Sequence, residues 1–99
     1  MIPRNFKIMS QVISVVWVDD LMQKEGCHGQ CIFDKNKILL QTPDVDNELC
    51  NMQVQHTFKH EQVHFWLHYL GYVKLSENEQ LVDSLANLIM QAENTAYYG

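Results

Sequence analysis

Residues 54–71 read Val-Gln-His-Thr-Phe-Lys-His-Glu-Gln-Val-His-Phe-Trp-Leu-His-Tyr-Leu-Gly, and their spacing is helical. Val63, Trp66, Leu67 and Leu70 recur at i, i+3, i+4 and i+7, which makes one apolar stripe. Asp46 is the expected N-cap with Glu48 in the first turn, and Gly71 is the expected C′ stop. Beyond Gly71 a short link, residues 72–75, leads to Ser76, the expected N-cap of a second helix. There Val82, Leu85, Ala86 and Ile89 repeat the helical spacing.

Before Pro43 the pattern is that of strands. Phe6-Lys7-Ile8 and the β-branched run Val12-Ile13-Ser14-Val15-Val16-Trp17-Val18 flank Met9-Ser10-Gln11, which reads as a hairpin turn. Gln30-Cys31-Ile32-Phe33 and Lys37-Ile38-Leu39-Leu40 form a second pair around the polar Asp34-Lys35-Asn36. Residues 19–26 read as a loop or a single helical turn. The expected fold is therefore α+β: a small antiparallel sheet of three to four strands, then two long helices packed on it. Residues 1–42 are mainly strands, 46–71 the first helix and 76–96 the second.

The bulk numbers agree with one domain. The chain has 99 residues, 46 % of them apolar, and no internal repeat or low-complexity tract. A net charge of −5 with only seven Lys and Arg argues against nucleic acid as a partner. No apolar run approaches the roughly 20 residues of a membrane span. The first residues lack the pattern of a secretory signal, and three cysteines (Cys27, Cys31, Cys50) cannot all pair within one chain. Reduced thiols in a cytoplasm are the expectation.

The chemistry sits in His60-Glu61-Gln62-Val63-His64. Residues at i and i+4 share a helix face about 6 Å apart along the axis, close enough for two imidazoles to hold one zinc ion. Glu61 is offset by one residue, so it suits a general base beside a metal-activated water better than a ligand. His56, His60, His64 and His68 form an unbroken i, i+4 row, and only His60 is followed by Glu. His60 and His64 are read as the ligand pair, with His56 and His68 as flanking residues; a solvated helix face that happens to carry histidines is the alternative.

A catalytic zinc site takes three protein ligands and keeps one open position. Glu77, Glu79 and Asp83 on the next helix are the candidates for the third. Glu79 lies three residues before Val82, on the apolar stripe, where a carboxylate is costly unless paired or bound. It also fits a capping box, Ser76-Glu77-Asn78-Glu79. Asp83, one turn on, suits an acceptor for the free N–H of a ligating histidine, with a solvated charge as the alternative.

At these residues the sequence resembles the minimal zincin domains of phages and mobile elements, related to the ImmA/IrrE-type metallopeptidases. The similar stretches are residues 57–64, Leu70-Gly71-Tyr72 and residues 79–88. The resemblance implies His60, His64 and Glu79 as zinc ligands and Glu61 as general base, a gluzincin-like set. It implies a protein or peptide substrate, in particular a repressor or other regulatory protein. Val82 and Leu85 depart mildly from the family's small and aromatic residues, and the family's further Leu-Leu-x-Pro segment is not found. No oxyanion donor is assigned; His28, Tyr97 and Tyr98 are the candidates.

Cys27-His28-Gly29-Gln30-Cys31 carries metal-ligand residue types but lacks a matching second cysteine pair, so Cys27 and Cys31 are read as small apolar fillers. Gly26 and Gly29 are expected to shape the start of a strand, and Trp17 and Trp66 to lie in the core. The functional expectation is a zinc metallopeptidase. Its alternative is a zinc-stabilised binding or scaffold domain with weak hydrolysis.

Overall fold

The β-branched and aromatic runs form strands, and the helical stripe forms a helix laid across them. The structure is a computed structural model that describes residues 2–43 and 48–98. In chain order it has β1 (Asn5–Ile8), β2 (Gln11–Val18), α1 (Leu21–Glu25), β3 (Gly29–Ile32) and β4 (Lys37–Gln41). Three helices follow: α2 (Glu48–Tyr69), α3 (Val73–Ser76) and α4 (Glu79–Thr95). The expected α+β order, four strands and then two long helices, is what the chain forms. The Asp46 cap lies outside the described residues.

β1 and β2 make a hairpin in which Ile8 pairs with Gln11. Its two turn residues, Met9 and Ser10, both take positive φ (49° and 73°), as a right-twisted two-residue hairpin requires. β3 and β4 pair antiparallel, with Cys31 opposite Ile38. The sheet order is β1-β2-β4-β3, and β2 pairs with β4 in parallel, Val15 opposite Ile38. The sheet is thus mixed rather than wholly antiparallel. Residues 19–36 are long enough for the crossover that parallel neighbours need. That path puts the two most apolar strands in the middle and leaves Gly29-Gln30-Cys31-Ile32 at an edge.

α2 is apolar on two sides. Phe58 and Phe65 are buried against Ile8, Ile13, Ile38 and Leu40 of the sheet. Val63 is buried against Val82 and Ala86 of α4, with Trp66, Leu67, Leu85 and Ile89 around them. The stripe read from the sequence is mostly the α4-facing side; its last member, Leu70, is 57 % exposed. Of the two tryptophans only Trp66 packs in the core, since Trp17 near the end of β2 is 44 % exposed.

Gly71 ends α2 as expected, at φ 88°. Tyr72 N–H donates to Leu67 O (2.8 Å) and Gly71 N–H to His68 O (3.1 Å), which closes a Schellman turn. The second long helix starts later than expected. Asn78, not Ser76, is its N-cap, and the Asn78 side chain accepts from Leu81 N–H at 3.1 Å. Ser76 ends the short α3 and is buried, so its hydroxyl is committed elsewhere.

Candidate metal centre

α4 runs back along α2, and its first turn lies over the middle of the histidine row. Glu79 Oε2 is 2.9 Å from His60 Nε2, and Glu79 Oε1 is 3.3 Å from His64 Nε2. The two Nε2 atoms are 3.2 Å apart. Among the described residues, His60, His64 and Glu79 are the group that can hold a metal ion. Donors arranged tetrahedrally at about 2.1 Å from zinc lie roughly 3.4 Å from one another, close to these separations.

The hydrogen bonds on the far sides of the rings decide which nitrogens are free. The Ser76 hydroxyl donates its one proton to His64 O at 3.1 Å, so its oxygen accepts from His64 Nδ1–H at 3.3 Å. Asp83 Oδ1 stands 3.3 Å from His60 Nδ1 and, as a carboxylate, can only accept. Both histidines therefore carry their proton on Nδ1, a tautomer assigned from this network. Two bare Nε2 lone pairs and a carboxylate then face one another with no donor between them. Such a constellation can hold a metal cation, with two imidazoles and one carboxylate as its donors.

Glu61 is 7 % exposed and shares a cavity of about 370 Å³ with these three side chains. Burial pushes its carboxyl above the usual range, and the nearby His64 and His60 pull it partly back. Cys31 Sγ donates to Glu61 O at 3.2 Å and lies 3.7 Å from Glu61 Oε2. Cys31 is therefore more than a filler: it ties edge strand β3 to the carboxylate-bearing turn of α2. Burial, then the Glu61 carboxylate, pushes its thiol far up, so it stays protonated. Gly29 makes the same contact possible. A Cβ there would lie 2.6 Å from Thr57 Cγ2 and 3.0 Å from Glu61 Cγ, so any side chain would force the Thr57 and Glu61 side chains to shift.

The other expected residues divide clearly. Asp83 stands 3.3 Å from His60 Nδ1, where a carboxylate can accept that proton. Glu79 joins His60 and His64 in the group that can hold a metal, but its side chain is 70 % exposed rather than sunk in the apolar stripe. Glu77 is exposed and outside the group. His28 and His56 line the cavity; His56 Nε2 is 3.3 Å from Asp83 Oδ1 but forms no hydrogen bond with it. His68 is elsewhere, stacked on Phe33 with ring centroids 4.1 Å apart. Tyr97 and Tyr98 are 91 % and 95 % exposed. They follow the far end of α4, about 24 Å of helix from Glu79 at 1.5 Å per residue. Read locally, Ser76 is a helix cap, Cys31 an apolar filler and Gly29 a strand-entry residue, and none of them signals the site. No local pattern marks them, because each meets its partner only through the tertiary fold.

No protein-family model, curated protein or solved structure matches this chain. No helix among the described residues is long and apolar enough to cross a membrane.

Proposed function

We propose that this protein is a zinc-dependent peptidase acting on a protein or peptide substrate. The observation that carries the reading is the convergence of three proton-free acceptor atoms, from His60, His64 and Glu79, with the buried carboxyl of Glu61 in the same cavity. Zinc bound there would supply Lewis acidity, lowering the pKa of a coordinated water and polarising a peptide carbonyl.

The chain's own residues do the rest. His60 and His64 present Nε2 because Asp83 and Ser76 hold their Nδ1 protons. Glu61 accepts the proton of the attacking water and delivers it to the leaving amine nitrogen. Its burial favours the protonated carboxyl, which is the form that hands the proton on. Cys31 and the close approach of Gly29 hold the Glu61 turn of α2 against β3. His28, His56 and the Thr57 hydroxyl, on the cavity wall, are among the groups that can donate to a developing oxyanion. The resemblance noted above supports the same assignment, with a regulatory protein as substrate in a cytoplasmic setting.

The test is zinc-loaded protein incubated with a mixed peptide library, with products read by mass spectrometry. Cleavage by the wild type, absent in a Glu61→Gln variant that still holds one zinc, supports the peptidase. Zinc binding without cleavage in either would instead make the domain a zinc-stabilised scaffold.

A further inference from the structure

Beside the metal-ligand cavity lies a larger groove of about 730 Å³, within the roughly 300–1,000 Å³ of small-ligand sites. It runs between α1, the end of β4 and the first turns of α2. Its apolar lining is Met22, Leu40, Pro43, Met52 and Val54. His28, His56 and Thr57 line both the groove and the metal-ligand cavity, so the two spaces adjoin along these side chains.

One wall of the groove is firmly built. The Gln41 side chain accepts from Met22 N–H at 2.7 Å and donates to Asp19 O at 2.7 Å and Thr42 O at 3.3 Å. The Thr42 hydroxyl adds a bond to Asp19 Oδ1 at 2.6 Å. These bonds pin α1 to the end of β4, so this wall needs little ordering when something binds. Met22 and Met52 are 45 % and 66 % exposed at the groove, and flexible thioether side chains adapt to varied apolar shapes. Among the described residues the lining holds Asp19 and no Lys or Arg, so an acidic side chain would lose hydration and meet a like charge.

We propose that this groove is the specificity subsite of the peptidase, taking a large aliphatic or aromatic side chain of the substrate next to the bond held at His60, His64 and Glu79. The inference rests on the peptidase reading. The position of the groove against the metal-ligand cavity sets where the side chain goes, and the lining sets its chemistry.

Zinc-binding hydroxamates with different side chains test it, because one end is held at the metal and the other samples the groove. Binding of the zinc-loaded full chain is measured by titration calorimetry. The probes are acetohydroxamate and hydroxamates bearing isobutyl, benzyl or carboxyethyl groups. Both α-amino-acyl and 2-substituted succinyl forms are used, so that side chains on either side of the chelating group are sampled. The isobutyl or benzyl probe is expected to bind about tenfold or more tighter than acetohydroxamate and the carboxyethyl probe, the gain from burying one such side chain. Met22→Asp and Met52→Lys, both at exposed positions, are expected to reduce that preference while leaving acetohydroxamate binding unchanged. Equal binding of all probes would overturn the subsite and leave the metal centre standing. A preference that survives in both variants would also overturn it. Failure of acetohydroxamate to bind zinc-loaded protein would sink the peptidase reading and the subsite with it.

Discussion

Along α2, His60 and His64 face the start of α4, whereas His68, one turn further on, stacks on Phe33. All three belong to the same i, i+4 row. At 100° per residue, a step of four residues overshoots a full turn by about 40°, so the row winds slowly around the helix. His56 and His68 are therefore about 120° apart and cannot look at the same neighbour. Only the middle of the row meets Glu79, and only its first half meets Asp83. Histidine spacing creates several possible pairs; the position of the next helix selects one.

That contrast is most open to attack at its two ends. His64→Ala is expected to reduce bound zinc from about one per chain to near zero, while His68→Ala leaves it unchanged. Elemental analysis of protein purified without a histidine tag measures both. Zinc retained in His64→Ala, or lost in His68→Ala, would break the comparison. Within the selected pair, Glu61→Gln is expected to keep zinc and lower turnover by a factor on the order of 10²–10⁴, the usual contribution of a general base. Peptide cleavage and metal content measured on the same sample separate the two effects.

A finer test concerns the groups behind the ligands. Ser76→Ala and Asp83→Ala each remove the acceptor that holds one Nδ1 proton. Zinc affinity, measured against a competing chelator, is expected to fall about 10- to 100-fold in each. Unchanged affinity in both would mean that the ligand rings are oriented by packing alone.

The smallest effect concerns Cys31. Its thiol pKa is raised on folding from an ordinary value of 9.0. The folded state thus holds that proton more tightly than the unfolded chain, and the stability this gives is full below about pH 9. It is lost progressively as pH rises beyond that, where the unfolded thiol ionises. Urea midpoints between pH 8 and 10.5 should fall less steeply for Cys31→Ala than for wild type. Parallel slopes would show that the thiol does not feel Glu61 or its buried position.

Gly29 and Ser76 show where reading the sequence reaches its limit. Gly29 looks like a residue shaping the start of a strand, and it does open β3. Its tighter constraint is the approach of Thr57 and Glu61, which lie about thirty positions away in the chain. Ser76 has the residue type and downstream Glu79 of a helix cap, yet Asn78 takes that role two residues later. The serine hydroxyl is then free to turn inward to His64. Capping propensity alone does not choose between two polar residues so close together, because both can satisfy a first-turn N–H.

What the sequence determined by itself is what depends on near neighbours. The β-branched and aromatic run of residues 12–18 makes a strand, and the stop at Gly71 ends a helix. The four-residue interval between His60 and His64 brings two imidazoles to one face, because helix geometry converts spacing directly into direction. Only the tertiary structure decided the parallel pairing of β2 with β4, the meeting of Cys31 with Glu61 and the side of α2 on which α4 would lie. Those depend on which apolar surfaces bury each other across the whole chain. α2, apolar towards both the sheet and α4, offers two such surfaces, and no local period ranks one above the other.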